Sequence, residues 1–429
     1  MRARRIRQVS GAGAPSWDVQ TGIGPSGRIA LSTTEETPAL GFPPAHLEFG
    51  AALAVYGNTV MASMPALGNW IGRVAILTRD SSGNWIRTGM LDAADGQAGG
   101  TSEPAHRVTN RNNRVVVTTS FTAALTSGDL QAVQICPKAD LHTHGFANSD
   151  RDYIREKTGR DIAPISAPLK SMDEMHAWSK ANLADLFDGP QGRVLWVEAS
   201  FVRALKDGLT RIEFGDDVWM VTQGLGTPSD LVESITSIRA QVAPQVEWIP
   251  QLGLSRHCKL EWLQDWMAPW LELGFHRTLD LSGDELAQPI DLFKPLYRAA
   301  KAKGMRLKAH VGEWGTPEDV QHAVEVLELD EVQHGIAAVS SKPVMRFLAD
   351  NRIRVNVCPT SNIMLGRVDD LRSHPIRAMY DAGVKVTVNT DDALVFGKTL
   401  SEEFLGLYQV GLFTAAELDQ IRLNALTDQ

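Results

Sequence analysis

Residues 305–335 carry the sequence MRLKAHVGEWGTPEDVQHAVEVLELDEVQHG. The runs Met305–His310 and Glu331–His334 have the length of buried strands, and the stretch between them, Pro317–Leu327, has the amphipathic spacing of a helix. Proline suits the first turn of a helix, because the first N–H groups of a helix have no partner within it. The segment therefore predicts a strand, a helix and a second strand in succession, with a histidine at the end of each strand.

The same alternation of short apolar runs and helical stretches continues through the chain after Pro137. We predict eight strands, near Lys138–His142, Thr210–Phe214, Val246–Leu252, Thr278–Leu281, Met305–His310, Glu331–His334, Ile353–Val357 and Val384–Asn389. Eight strand and helix units predict a (β/α)8 TIM barrel over residues 136–429, an α/β fold whose catalytic groups lie at the carboxyl ends of the strands.

The first third of the chain differs from the rest in composition and in residue pattern. Residues 1–48 are rich in Gly, Pro, Ser and Thr, which predicts a poorly ordered lead-in. Residues 49–135 contain alternating segments such as AALAVYGNTVMASMP and GRVAILTRDSSGNWIRTGML, which predict a small all-β module. This module resembles a partial FG-GAP repeat of integrin-like β-propellers. One blade cannot close a propeller, so its apolar face needs another cover.

Composition narrows the function classes. The 429 residues carry a net charge of −9, whereas nucleic-acid-binding proteins usually show a basic surplus, so we expect no nucleic-acid partner. The three cysteines, Cys136, Cys258 and Cys358, lie far apart, which indicates neither a disulfide framework nor a thiolate zinc site. We find no run of 18 apolar residues and no secretory h-region, and therefore expect a cytoplasmic protein without a membrane span.

Polar motifs follow the predicted strands. In Asp140-Leu141-His142-Thr143-His144 two histidines stand two residues apart at a strand end and project to the same side, so they can chelate one metal ion. The spacing alone is weak, because such pairs also arise by chance.

The other three motifs are His310-Val311-Gly312-Glu313, His334-Gly335 and Asp391-Asp392. His310 adds a third imidazole, and Glu313 could act as an acid and base beside a metal ion. Taken singly, Glu313 could equally be a carboxylate at a helix amino terminus, and Asp391-Asp392 could be a surface turn. The four motifs together favour the metal and catalytic interpretation, because all four follow strands and converge on one mouth of one barrel.

At this point the sequence resembles the adenosine deaminase family of the metal-dependent amidohydrolase superfamily. The resemblance extends over nearly all of residues 137–429. The matching sequence motifs are PKADLHTH, LDLSGDE, KAHVGE, VQHG, VNVCPTSN, HPIRAMYDAGVKVTVNTDDA and SEEF. It implies one divalent metal ion, normally zinc, held by His142, His144, His310 and Asp391. The family would make this chain a hydrolytic deaminase of purines.

The resemblance also implies roles for the remaining motif residues. Glu313 would deliver a proton to the purine nitrogen N1, and His334 would orient the attacking water and help to deprotonate it. Asp392 would hydrogen-bond to N7, the backbone of Gly283 would contact N3, and His144 would face the substrate as well as the metal. Asp284 and Glu285 would support the site.

These roles predict conversion of a 6-aminopurine nucleoside, most simply adenosine, to inosine and ammonia. The family usually has Leu-Asp-Gly or Leu-Glu-Gly after the paired histidines, whereas this chain has Gly145-Phe146-Ala147-Asn148. Adenine, a modified adenosine or a nucleotide therefore stays an alternative substrate, although a phosphate would call for Arg or Lys near the mouth. A non-catalytic scaffold that binds a partner through the β-module is the alternative from another class.

Overall fold

The computed structural model describes residues 120–183 and 185–427 in full, and before residue 120 it describes the backbone of nine strands. The chain divides into two compact units, residues 1–123 and 124–429.

The first unit contains only antiparallel strand pairs among its described residues. One sheet has the order β1-β2-β3, a second β4-β5-β6-β7, and β8 pairs with β9. Their bounds are β1 Arg4–Arg7, β2 Asp18–Ile23, β3 Ile29–Thr34, β4 Leu53–Tyr56, β5 Thr59–Met64, β6 Arg73–Arg79, β7 Trp85–Asp92, β8 His106–Arg111 and β9 Arg114–Thr119. The rest of the predicted lead-in and β-module lies outside the described residues, so the FG-GAP resemblance and the proposed domain limits stay predictions.

The second unit confirms the predicted (β/α)8 barrel. Eight parallel strands follow one another in sequence order, and a bridge between Thr143 and Asp391 connects the two ends of the sheet. The strands are β10 Lys138–Asp140, β11 Leu209–Asp217, β12 Glu247–Ser255, β13 Thr278–Ser282, β14 Arg306–Val311, β15 Glu331–His334, β16 Arg354–Val357 and β17 Lys385–Val388.

Helices alternate with these strands. They are α1 Phe121–Ser127, α2 Leu130–Gln134, α3 Arg151–Thr158, α4 Met172–Asn182, α5 Gly189–Lys206, α6 Pro228–Val242, α7 Leu260–Leu273, α8 Lys294–Ala302, α9 Pro317–Leu327, α10 Lys342–Asp350, α11 Pro359–Met364, α12 Ile376–Asp381, α13 Ala393–Phe396, α14 Leu400–Gln409 and α15 Ala415–Leu426. None of the described helices is long and apolar enough to cross a membrane.

Helix α9 shows how local sequence sets the position of the loop after β14. Thr316 accepts a hydrogen bond from the backbone N–H of Asp319 (3.2 Å), and the Asp319 carboxylate accepts one from the backbone N–H of Thr316 (2.8 Å). This capping box and Pro317 begin the helix at a defined residue. The segment between β14 and α9 is consequently short, which holds it at the mouth of the barrel.

Charged side chains fill part of the barrel interior. The Nζ atom of Lys308 on β14 lies 2.7 Å from Glu213 Oε2 on β11 and 3.1 Å from Glu331 Oε2 on β15. Arg354 on β16 also pairs with Glu331, and all four side chains are buried. Buried charges need such partners, because an unpaired ion in the interior is strongly destabilising. This network lies among strands whose carboxyl ends carry the polar motifs.

Candidate metal centre and active site

Four of the predicted residues converge at the mouth of the barrel. His142 and His144 follow β10, His310 lies near the end of β14, and Asp391 follows β17. The Nε2 atom of His310 lies 3.0 Å from His142 Nε2 and 3.2 Å from His144 Nε2. Asp391 Oδ1 lies 3.0 Å from His144 Nε2 and 3.6 Å from His142 Nε2. The four side chains thus aim their ligand atoms at one point.

The arrangement fits a divalent metal ion. Ligand atoms at about 2.1 Å from a tetrahedral ion lie about 3.4 Å from one another, close to the spacing found here. The Nδ1 atoms of His142 and His310 lie 3.2 and 3.1 Å from the backbone oxygens of Asn356 and Leu281. An Nδ1–H donated to a carbonyl leaves the Nε2 lone pair facing the centre, as a metal ligand requires. Three imidazoles and one carboxylate can hold zinc, iron or cobalt.

Two residues of the site have strained backbone conformations. Asp391 has φ of 59° and His334 has φ of 63°, in the left-handed region that non-glycine residues rarely occupy. Ser361 Oγ donates a hydrogen bond to Asp391 Oδ2 (2.6 Å) and so fixes the second carboxylate oxygen. Such strain persists only where the surroundings impose it, and it is concentrated at functional sites.

Glu313 lies in the loop after β14, beside the ligand cluster. Its Oε1 accepts a hydrogen bond from Asn362 Nδ2 (3.1 Å) and its Oε2 accepts one from Trp314 Nε1 (3.1 Å). Burial, together with the charges of Asp391 and Glu285, raises the pKa of Glu313 well above its usual value. A carboxyl group in this environment retains a proton at neutral pH and can deliver it.

Glu285 holds the loop that carries Glu313. Its carboxylate accepts hydrogen bonds from four consecutive backbone N–H groups, those of residues 312–315, at 2.6 to 3.2 Å. The resemblance implied a supporting role for Glu285, and these contacts give that role a physical form.

His334 lies on the other side of Glu313, with its Nδ1 3.4 Å from Glu313 Oε1 and its Nε2 3.8 Å from Asp391 Oδ2. Asn362 Nδ2 approaches His334 Nδ1 at 3.1 Å. Burial lowers the pKa of His334 to about 3, so the imidazole is neutral. A neutral ring can accept a hydrogen bond from water and so orient it.

Asp392 and Gly283 face the same opening. Burial, with the neighbouring Asp391 charge, raises the pKa of Asp392 to about 7, and its Oδ1 has no hydrogen-bond partner among the described residues. Gly283 has φ of +89°, and a Cβ atom there would lie 2.9 Å from the His257 ring. Only glycine fits this close approach, which leaves the Gly283 backbone open to a ligand.

These groups surround one cavity of about 280 Å³. It is lined by seven of the eight predicted site residues, namely His144, Gly283, His310, Glu313, His334, Asp391 and Asp392. His142 is fully buried behind them. A partly apolar cavity with a few convergent polar groups is typical of a small-molecule site.

Sequence reasoning missed several residues of the site. Ser361 and Asn362 belong to the quoted word VNVCPTSN, but their contacts with Asp391 and Glu313 depend on the fold of that loop. Asp217 also lines the cavity. It stands in a second pair of adjacent aspartates at a strand end, and this repetition was the signal that could have revealed it.

Comparison with known proteins agrees with this geometry. The family model for adenosine deaminase matches residues 275–428. The chain is 33% identical to a putative adenosine/adenine deaminase of Treponema pallidum over 278 residues, which is 65% of this chain and 93% of that protein. It is 34% identical to an adenine deaminase of Paraburkholderia xenovorans, over 71% of this chain and 88% of that protein.

Solved structures share the fold. An adenine deaminase of Arthrobacter aurescens superimposes with a TM-score of 0.59 at 23% identity, covering 68% of this chain and 92% of that one. An amidohydrolase of Burkholderia ambifaria with bound Zn has a TM-score of 0.58 at 22% identity, covering 70% and 87%. With the sequence relationship to the Treponema protein, these matches lead to one conclusion: the chain belongs to the adenosine deaminase family and is a hydrolytic deaminase.

Proposed function

We propose that this chain converts adenosine to inosine and ammonia, with zinc held by His142, His144, His310 and Asp391. The observation that carries the proposal is the convergence of these four side chains beside Glu313, a carboxyl whose pKa is raised, on one cavity. A bound zinc ion would supply Lewis acidity, which lowers the pKa of water to about 7.

Glu313 provides the proton that the purine ring requires. Addition of water at C6 places electron density on N1, and a protonated carboxyl at N1 neutralises it. Asn362 donates a hydrogen bond to one carboxyl oxygen of Glu313 and Trp314 donates one to the other, which fixes the orientation of the carboxyl group for proton transfer. His334, whose imidazole is neutral, orients the attacking water and helps to deprotonate it, and the proton released from the water is available to the C6 amino group, which leaves as ammonia.

Asp392 and Gly283 orient the ring. N7 of adenine carries a lone pair and no hydrogen, so only a protonated Asp392 can donate to it. A pKa of about 7 for Asp392 supports that protonation state near neutral pH. The backbone N–H of Gly283 serves N3 at the other edge of the ring.

The charges of the cavity favour a substrate without phosphate. Its lining includes the acidic residues Asp217, Glu313, Asp391 and Asp392 and contains no Lys or Arg among the described residues. A phosphate would meet carboxylates instead of the bidentate cations that usually bind it. Adenine is the second candidate, because several relatives at 29 to 34% identity bear the name adenine deaminase.

A purine panel tests the proposal. We expect the zinc-loaded protein to release ammonia from adenosine with kcat/KM at least about tenfold above the values for adenine and adenosine 5′-monophosphate. The Glu313→Gln protein, loaded with the same metal, is the control for contaminating activity. Faster turnover of adenine than of adenosine would replace the proposed substrate with the second candidate, and no turnover of any aminopurine would refute both.

A further inference from the structure

The two aspartates at the end of β11 point to opposite sides of the sheet. Asp216 accepts two hydrogen bonds from the Arg193 guanidinium on α5, at 2.6 and 3.1 Å, so it faces the surrounding helices. Side chains alternate along a strand, which puts Asp217 on the same side as Glu213. Glu213 contacts Lys308 inside the barrel, and Asp217 accordingly lines the cavity.

The carboxylate of Asp217 lies against a glycine of the neighbouring strand and has no protein partner among the described residues. Asp217 is in register with Gly253 on β12, and a Cβ atom at Gly253 would lie 2.1 Å from Asp217 Oδ1. The glycine therefore makes room for the carboxylate. No hydrogen bond or ion pair connects this carboxylate to any residue within 120–183 or 185–427, the fully described parts of the chain.

Burial raises the pKa of Asp217 to about 7; the charges of Asp216 and Asp280 add to the rise and His144 opposes it. A hydrogen-bond donor supplied by a ligand would stabilise the charged form of such a group. The carboxylate thus lacks a hydrogen-bond donor, which a bound molecule can provide.

The order of strands around the barrel shows which part of a purine would meet Asp217. Gly283 follows β13 and Asp392 follows β17, and the proposed function, on which this step rests, assigns them to N3 and N7. N9 lies between N3 and N7 on the perimeter of the ring. Glu313 follows β14, on one of the two paths around the barrel from β13 to β17. The N9 substituent must therefore point toward the strands on the other path. These are β10, β11 and β12, and Asp217 ends the middle one.

We propose that Asp217 accepts hydrogen bonds from ribose hydroxyl groups and thereby selects a nucleoside over the free base. The segment after His144, residues 145–148, contains no carboxylate that could do this. The next acid, Asp150, caps α3 and pairs with Lys206. Asp217 is a specificity-determining residue, and its charge also disfavours a phosphate on the sugar.

Paired substitutions in protein and substrate test this role. We expect Asp217→Ala to lower kcat/KM for adenosine by about ten- to a hundredfold, mainly through KM, because a hydrogen bond to a charged group is lost. Turnover of adenine should stay within about twofold. Among 2′-, 3′- and 5′-deoxyadenosine, at least one should be a poor substrate of the unsubstituted protein. Its kcat/KM should not change in Asp217→Ala.

Asp173→Asn is the matched control, since it removes a negative charge from an exposed side chain of α4 that does not line the cavity, and turnover of all five substrates should stay unchanged. Metal content and circular dichroism of each variant report whether the barrel is intact. Equal losses on adenosine and adenine, a loss on adenine alone, or no loss at all would overturn the proposal. Failure of the unsubstituted protein to deaminate adenosine is a different result, which refutes the proposed function and this inference before any variant is made.

Discussion

At the scale of single residues, Glu313 shows how burial prepares a carboxyl group for proton transfer. The side chain receives one hydrogen bond on each oxygen, yet it lies near Asp391 and Glu285, whose negative charges favour its protonated form. The loss of hydration and the nearby charges outweigh the two donors, and the pKa of Glu313 rises.

We expect Glu313→Gln to keep the metal and lose turnover by about a hundredfold or more, because the amide cannot deliver a proton to the ring. Binding of adenosine should change much less, since the amide has nearly the same size. Metal analysis beside single-turnover rates measures both quantities. Parallel loss of metal and turnover would instead make Glu313 a ligand or a structural group.

His276, between α7 and β13, has a buried imidazole with no hydrogen-bond partner among the described residues. Burial lowers the pKa of His276 to about 4. The unfolded chain binds a proton here near pH 6.5 and the folded chain only near pH 4, so stability falls as pH drops through this interval.

The unfolding free energy of the unsubstituted protein should decrease between pH 7 and pH 5. We predict that this decrease is smaller by about 2 kcal/mol in His276→Phe. Urea unfolding of both proteins at the two pH values measures it. His322→Phe, a substitution of an exposed histidine that pairs with Asp291, is the control and should leave that difference nearly unchanged. An unaltered pH dependence in His276→Phe would show that this histidine is accessible to protons in the folded chain.

The sequence could predict which histidines cluster at this scale, because His142, His144 and His310 stand in short motifs at strand ends. It could not predict that Asn362 and Trp314 hold Glu313, since those contacts depend on how two separate loops approach.

At the scale of elements, the loop between β14 and α9 depends on one side chain from another loop. Glu285 accepts all four N–H groups of residues 312–315, and the capping box of Thr316 begins the next helix. The position of Glu313 is therefore set by Glu285 as much as by its own strand.

We expect Glu285→Ala to lower the unfolding free energy by about 3 kcal/mol, because buried N–H groups lose a charged acceptor. It should also reduce kcat about tenfold or more while the metal is retained, since Glu313 is displaced. Glu285→Gln should recover part of both losses. Glu318→Gln, an exposed change on α9, is the control, and a kcat unaffected by Glu285→Ala would show that the loop holds itself.

The predicted strands all exist, and two of them, β11 and β12, extend three residues beyond their apolar runs. The predicted ends of β11 and β12 were Phe214 and Leu252, whereas the strands continue to Asp217 and Ser255. The polar continuation of β11 stays in the sheet because Arg193 neutralises Asp216 and the ladder with β12 continues through Gly253. A tertiary partner of this kind is invisible in a pattern of apolar residues, and the missed extension contains Asp217.

At the scale of the whole molecule, the residues of the candidate site all belong to the barrel unit. Helix α2, before β10, belongs with it too, because the buried Lys138 ammonium donates hydrogen bonds to the backbone oxygens of Val133, Gln134 and Cys136. A functional truncation must therefore keep α2.

We predict that a chain beginning at Ser120 folds, binds one metal ion and deaminates adenosine at the rate of the full chain, since barrel sites are built from the barrel's own loops. Its solubility or association should change if removal of residues 1–119 uncovers an apolar face. Turnover and sedimentation of the two proteins make the comparison. Selective loss of turnover, with fold and metal intact, would show that the first unit helps to form the active site.

The central claim is that His142, His144, His310 and Asp391 hold the metal ion that deamination requires. The most direct measurement follows bound metal and inosine formation in one sample, as a chelator removes the ion and zinc is returned. We predict that both fall together and recover together, with one ion per chain at full activity, and that His310→Ala recovers neither. Undiminished inosine formation by the metal-free protein, or one bound zinc ion and normal turnover in His310→Ala, would contradict the account.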